Sequence, residues 1–465
     1  MALIYLVAFW SLGVQILGLV GSHGILPAGD FLKYISLQEG ASRFWVAPTL
    51  CWFNSSDFCL LFLCCGGIAL SILLLLGIWP SFSAFLLWVI YLSLTVIGQD
   101  FLGFQWDNLL LEAGFLLIFL SPHPFRSQYK SSFYPSLMIV WLFRWLLFRL
   151  LFESGIIKIL SGDPNWAHLT ALTYHYWTQP LPNVISWYVN QLPIWFQKLS
   201  CTLVFFVEIL VPFLIFAGRW GRLIAFFCIS GLQVLIILTG NYCFFNLLAL
   251  GLCLTLLEDE HFKIFSFSLK VMAGKGGVFY RVVTGVIVVI VLIVSMGLMA
   301  DSFAHCPLPK PVEKMITAVS PLRSINNYGL FAVMTTERNE IILEGSDDAE
   351  HWQPYEFPYK PGDVKQAPRW AMPYQPRLDW QMWFAALGSW RENPWVLSLM
   401  EKLLQGEPTV VRLMGVNPFK DHPPKYIQAV FWQYHFTDFK TKSKNGAWWQ
   451  RNIKGLYCPT ISLQQ

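Results

Sequence analysis

Charge is what this chain has least of. Asp, Glu, Lys and Arg make up only 13% of its 465 residues, where a soluble globular domain carries about 25%. A surface so poor in charge faces something other than water over much of its area, which excludes an ordinary soluble fold. The formal net charge is only +4, too small a surplus to point to a nucleic-acid partner. Metal and catalytic signatures are missing too. The ten cysteines form no CxxC pair and no Cys/His ligand spacing, and there is no nucleophile elbow, phosphate loop or paired-carboxylate motif. His168 and His175, seven apart, would lie two turns apart on a helix, too far to share a metal easily. No metal and no cofactor is expected. A cleavable leader is also lacking: Met1 leads straight into apolar residues that continue to about Val20, with no basic segment before them and no small-x-small cleavage site after.

What is abundant is apolar and aromatic. Hydrophobic residues make up 55% of the chain and aromatics 17%, with 22 Trp, a residue that favours the bilayer interface because its ring is apolar and its N–H is not. Apolar runs near 2–20, 58–79, 81–98, 108–121, 135–160, 199–217, 221–239, 241–257 and 279–300 approach the roughly 20 residues needed to cross a bilayer. Backbone amides in lipid need internal partners, so these runs read as helices. Cys64, Cys65, Cys228 and Cys253 inside them read as small apolar core residues.

The expected fold is a polytopic α-helical membrane bundle of about nine helices over 1–300, followed by a β-rich α+β extramembrane domain over 301–465. Arg126 and Lys130, Arg219 and Arg222, and Lys263, Lys270, Lys275 and Arg281 fall in even-numbered loops. The positive-inside rule makes those loops cytoplasmic. The N-terminus is then cytoplasmic and the C-terminal domain periplasmic or lumenal. In that domain Phe331–Thr336 and Glu340–Glu344 read as strands joined by a turn at Arg338-Asn339, 379–388 and 394–405 as helices, and Val410–Met414 and Ile427–Phe436 as further strands. Cys306 and Cys458, both in the polar part, are a possible disulfide if it faces an oxidising compartment.

The fifth run is anomalous, with Arg144, Arg149, Glu153 and Lys158 in an otherwise apolar stretch. Each buried charge costs several kcal/mol unless paired or hydrated. Arg149 and Glu153 share a helix face and can pair. Glu112 and Glu208, in neighbouring runs, can serve Arg144 and Lys158. These six residues form an expected intramembrane charge network, either a polar functional centre or a set of ion pairs fixing helix register. As a functional centre it makes Lys158, Glu153, His175 and Asp163 candidate catalytic residues, with Lys158 the base. As an ordinary interface lysine, Lys158 snorkels and does no chemistry.

Glu153-Ser-Gly-Ile-Ile-Lys158, Ser161-Gly-Asp-Pro-Asn-Trp166 and Leu172-Thr-Tyr-His-Tyr-Trp-Thr-Gln-Pro-Leu-Pro182, with Asn327-Tyr-Gly-Leu-Phe331, Pro376-Arg-Leu-Asp-Trp-Gln-Met-Trp-Phe384 and Asn417-Pro-Phe419 further on, resemble the lipase maturation factor family along nearly the whole chain. The resemblance implies a membrane protein that helps exported client proteins, lipases in the family, to fold and assemble. It implies no established reaction and no cofactor. The start almost at the first membrane helix, without the N-terminal extension of animal members, favours a bacterial inner membrane, with the endoplasmic reticulum as the place in a eukaryotic cell. A charge-poor, aromatic surface suits binding of a client's apolar segments, and Trp352, Trp370, Arg377, Asp379, Trp380 and Trp383 are the candidate client-binding residues. A shorter likeness, Gly155-Ile-Ile-Lys158 followed by Trp166, is similar to the catalytic-lysine segment of the vitamin K-dependent γ-carboxylases. It implies the alternative of a membrane-embedded enzyme with Lys158 at a buried polar site.

Overall fold

The computed structural model describes residues 1–120, 136–258, 261, 277–304 and 307–463. The membrane part is built from α1 (Ala2–Gly13), α2 (Asp57–Leu75), α3 (Pro80–Ile97), α4 (Gln105–Ile118), α5 (Leu137–Leu160), α6 (Ala171–Thr178), α7 (Val184–Asn190), α8 (Ile194–Phe216), α9 (Gly218–Thr239), α10 (Phe245–Cys253) and α11 (Val278–Ala304). Local chemistry starts several of them. The Ser56 hydroxyl caps α2 by accepting from the Cys59 N–H, and Pro80 opens α3, where its missing N–H costs nothing. Asn183 and Ser186 form a reciprocal capping box at the start of α7.

Among the described residues, five helices have both the length and the apolar composition to cross a membrane: α2, α3, α8, α9 and α11. The expected nine crossings are therefore not established. The 24-residue α5 is long enough but carries four charges, α1 and the apolar helix Phe245–Leu256 are short, and α4 has only 14 residues. Arg126, Lys130, Lys263, Lys270 and Lys275, on which part of the orientation argument rests, lie outside the described residues.

The C-terminal part holds a four-stranded antiparallel sheet in the order β2-β1-β3-β4, with β1 Arg338–Ser346, β2 Gln353–Pro354, β3 Tyr426–Phe436 and β4 Trp449–Ile461. Two helices, α12 (Arg377–Ala385) and α13 (Trp395–Leu404), come between β1 and β3, and Leu378, Met382, Leu399 and Leu403 pack with Ile341, Leu343, Ile427 and Ala429 in a continuous core. Both helices fall where the sequence places them. The hairpin does not. Residues 331–336 form no strand, and Arg338-Asn339 begins β1 instead of turning the chain. The reason is Arg338, fully buried and donating to the carbonyls of Trp177, Gln179 and Pro180 while pairing with Glu340 at 2.7 Å. A residue so engaged fixes an extended backbone against the bundle. Val410–Met414 is not a strand either. The chain there forms a helical turn, Pro408–Val411, capped by Glu407. Cys458 is a buried free thiol beside the Met400 sulfur, and Cys306 lies outside the described residues.

The sheet domain and the bundle meet through buried polar groups. Arg377 makes a two-pronged pair with Asp107 (2.9 and 3.0 Å) and donates to the Phe101 carbonyl at 2.7 Å. Ser11 and Gln15 of the first run hold the backbone of Gln375 and Arg377. Asp379, also buried, accepts from the N–H groups of Tyr359 and Lys360 at 2.8 and 2.9 Å. Burial outweighs those bonds and pushes its carboxyl up to about 6. A raised folded value means the neutral form is the one the fold favours. The stabilisation is complete below the ordinary value near 4 and is lost as pH rises through about 6. Asp379→Asn, whose amide oxygen still accepts both bonds, should therefore gain on the wild type by about 3 kcal/mol between about pH 4 and 7. Thermal unfolding of the two proteins in detergent across that range checks it, and parallel curves would refute it.

Candidate functional site

The fifth run keeps its charges by pairing them away from their own helix. Arg149 does not pair with Glu153. It meets Glu112 of α4 and donates to the Asn326 carbonyl at 2.7 Å. Glu112 also takes the Tyr328 hydroxyl (2.8 Å) and the Asn326 N–H (3.0 Å), and Glu153 takes the Tyr328 N–H at 2.6 Å. The expected Arg144–Glu112 pair is absent. Arg144 donates to the Thr255 carbonyl at 2.9 Å and lies 3.9 Å from Glu258, which Arg222 also contacts. Glu258 was not singled out in the sequence because it stands past the end of an apolar run.

Lys158 does reach Glu208, at 2.7 Å, and gives a second proton to its own helix at the Ser154 carbonyl. Two residue choices allow this. Pro212 has no N–H to offer the Glu208 carbonyl four residues back. The chain loosens into a π-helical turn, Phe206–Leu210, closed by the Val211 N–H on the Phe206 carbonyl. Such single turns re-aim side chains inside helices, and this one contains Glu208. On the facing helix, a β-carbon at Gly155 would lie 2.6 Å from the Ile209 side chain and 3.0 Å from the Glu208 β-carbon. Only glycine permits that approach.

The pair lines a cavity of about 260 Å³ whose walls come from α5, α6, α8, α9 and α10 together with Trp106, Trp166, Tyr242 and Phe331. Phe331 has a left-handed backbone (φ 54°), uncommon for a bulky residue, and its ring packs edge-on to His175 at 4.9 Å and to Tyr242 at 5.8 Å between centroids. The tautomer of His175 follows from its neighbours. The Gln179 amide nitrogen donates to the Tyr176 and Thr239 carbonyls, so its oxygen accepts the Tyr242 hydroxyl proton at 2.8 Å. Tyr242 then has only a lone pair for His175 Nε2, 3.1 Å away. The hydrogen sits on Nε2, and Nδ1 is left as an acceptor. Burial, and then the Lys158 ammonium, push the imidazole down to about 4, so it is neutral at physiological pH.

The candidate catalytic residues divide. Lys158 and His175 share the cavity. Glu153 is committed to Tyr328, and Asp163 caps the short helix Pro164–Ala167 and accepts the Met334 N–H at 2.6 Å. Among the described residues no group of His, Cys, Asp and Glu could hold a metal ion. The client-binding candidates divide as well. Arg377, Asp379, Trp380 and Trp383 are buried, facing the bundle or the domain core, and offer a client no surface. Trp370 is 46% exposed and Trp352 partly exposed. Unforeseen cavity residues include Trp106, Gln233, Tyr242 and Asn246. The polar Asn and Gln inside apolar runs were the available signal.

Removing one member of a buried pair strands the other charge, at a loss of about 3–5 kcal/mol. Lys158→Met and Glu208→Leu should each lower thermal stability in detergent by amounts of that order, and the double variant should recover most of the loss. Single variants as stable as the wild type would show that the pair is not made.

Two family models match the chain in succession: the lipase maturation factor transmembrane domain over residues 1–264 and the lipase maturation factor C-terminal domain over 324–459. Lipase maturation factor 2 of Xenopus tropicalis is 35% identical, the match covering 99% of this chain and 81% of that protein. The Rattus norvegicus protein of the same name is 36% identical, with 99% and 82% covered. Lipase maturation factor 1 of Mus musculus is 34% identical, with 100% and 86% covered. No solved structure matches the chain. Matched by both models and by relatives along nearly its whole length, this integral membrane protein belongs to the lipase maturation factor family.

Proposed function

We propose that this protein assists the folding or assembly of exported client proteins, lipases foremost, from the non-cytoplasmic face of its membrane. The observation that carries the reading is the family match, which spans the membrane part and the C-terminal domain of one chain. The names of its relatives supply the class of client, a lipase. Clients meet the C-terminal domain, where the outward-facing aromatics Trp352 and Trp370 stand ready to hold apolar segments that a maturing client has not yet buried. The N-terminus lies in the cytoplasm and the sheet domain in the lumen of the endoplasmic reticulum or, in a bacterium, the periplasm, as the Arg and Lys of the short loops favour. Lys158 is committed to Glu208 and Ser154, which supports a structural pair over a free catalytic base.

Expressed with a secreted lipase in cells lacking their own maturation factor, the protein should raise secreted lipase activity severalfold per unit of lipase protein. Trp370→Ser should reduce both that gain and crosslinking to the lipase without changing the abundance of the factor. Unchanged lipase activity on adding the wild-type protein would overturn the reading. The orientation has its own check. A cysteine placed at exposed Glu350 (Glu350→Cys) should react with a membrane-impermeant maleimide only from the non-cytoplasmic side, and reaction only from the cytoplasmic side would reverse it.

A further inference from the structure

The chain just before α2 carries two cations that the fold leaves unanswered. Lys33 lies on the helix Ala28–Glu39, and Arg43 opens the helical turn Arg43–Val46. Both line an open pocket of about 360 Å³ whose wall also holds Ser36, Asn54 and Ser55 but no Asp or Glu, a size within the roughly 300–1,000 Å³ of ligand pockets. Among the described residues neither cation pairs with a carboxylate. The neighbouring acids are engaged elsewhere or turned away. Asp57 accepts the Ser22 N–H and hydroxyl at 2.7 and 2.9 Å, Glu39 accepts the Ser42 hydroxyl at 2.9 Å, and Asp30 is exposed outside the pocket wall.

Arg43 is held in place for a guest. Its guanidinium carbon lies 4.7 Å from the centre of the Phe44 ring and 5.3 Å from that of Trp52. The Trp52 indole is itself fixed, donating to the Ala47 carbonyl at 2.8 Å. Of the three guanidinium nitrogens, Nε is buried, Nη1 donates to the Ser36 hydroxyl at 2.6 Å, and Nη2 is accessible and bonds to nothing among the described residues. A planar guanidinium stacked in this way loses little freedom on meeting a phosphate. Asn54 adds a donor, because its amide oxygen accepts the Ser56 N–H at 2.8 Å and its NH2 stays open to the pocket.

The pocket also has a fixed depth. α2 has 19 residues, about 28 Å at 1.5 Å per residue, which only just crosses a hydrocarbon core of roughly 30 Å. Asp57 at its start therefore stands at the edge of the core, and Asn54 and Ser55 at headgroup level. Phe58 and Phe62, 77% and 63% exposed with ring centres 6.3 Å apart, continue from the pocket along the lipid face of the span.

We propose that this pocket seats the headgroup of an anionic phospholipid, its phosphate on Arg43 and Lys33 and its acyl chains against Phe58 and Phe62. Two cations with no carboxylate between them favour a net negative head and offer nothing to the ammonium of a zwitterionic one. The apolar face that continues from the pocket suits a phosphate that carries chains over one that is free in water.

The test uses the full chain in phosphatidylcholine nanodiscs with phosphatidylglycerol that bears a diazirine near the ester end of one acyl chain. Photolabelling should saturate as the mole fraction of the probe rises and should map to the peptide containing Phe58 and Phe62. Unlabelled phosphatidylglycerol should compete, whereas phosphatidylethanolamine at the same mole fraction and inorganic phosphate in the buffer should not. Lys33→Gln should lower the apparent affinity about fivefold, the equivalent of about 1 kcal/mol per basic residue near an anionic lipid. Its melting temperature should be unchanged, because the Lys33 ammonium bonds to no group among the described residues. Arg43→Gln should lower the affinity about tenfold, since a hydrogen bond from a charged donor goes with the charge. Lys444→Gln, the same loss of charge at an exposed position of the C-terminal domain, should change nothing. Labelling spread evenly over the lipid-facing helices, wild-type affinity in Lys33→Gln, equal competition by phosphatidylethanolamine, or displacement by inorganic phosphate would each overturn the assignment. Client maturation is not read in this experiment, so its result is independent of the proposed function.

Discussion

Every charge buried in this bundle is held by a group from a distant part of the chain, and that constraint organises the molecule. A charge in an apolar interior is tolerable only when paired and hydrogen-bonded. Arg149 is 37 residues from Glu112, Lys158 is 50 from Glu208, and Arg377 is 270 from Asp107. Each pair forms only if two specific elements have already packed side by side. Apolar helices in lipid have little hydrophobic preference for one neighbour over another. The ion pairs, with the glycine at 155 that lets α5 and α8 touch, supply the preference that leucines and phenylalanines alone do not.

The same constraint joins the C-terminal domain to the membrane. The segment from Asn326 to Met334 lies along α4 and α5, its backbone N–H groups taken by Glu112, Glu153 and Asp163. Carboxylates that satisfy backbone donors in this way immobilise a segment that would otherwise be a linker. Arg338 then carries the attachment into β1, spending its guanidinium on three carbonyls at the C-terminal end of α6, those of Trp177, Gln179 and Pro180. The candidate residues Arg377, Trp380 and Trp383 belong to this junction. Their aromatic and charged character, which in sequence suits a binding surface, serves an interface within the chain.

That exchange of roles shows what a sequence of this kind makes legible. Apolar length located the five helices long and apolar enough to cross a membrane, because it is local, but it did not establish the expected count of nine. The helices expected at 379–388 and 394–405, and found at Arg377–Ala385 and Trp395–Leu404, were equally readable from their own residues. Pairing was not. Arg149 and Glu153 are correctly spaced to meet on one helix face, but Tyr328 and Glu112, brought in by the tertiary fold, bind each more fully. The hairpin at 331–336 failed for a related reason. Its alternation suits a strand, but Phe331 is drawn onto His175 and Tyr242, and Arg338 is needed extended. Strand β4, with Gly455 and Pro459 inside it, gave no clear pattern, and it exists because β3 offers it an edge.

The cavity wall is where these two systems meet. Phe331 belongs to the segment that ties the C-terminal domain down, yet its ring closes the space beside His175 and Tyr242. Tyr242 in turn touches Trp380 of α12, and Trp380 packs on Trp106 with centroids 4.6 Å apart. A change of side-chain volume at Tyr242 or Trp106 would thus press on Trp380, which also carries the docked domain. Packed aromatic clusters respond to volume in discrete steps rather than by smooth deformation. The wall of the cavity and the seat of the C-terminal domain on the bundle are therefore built from the same few rings.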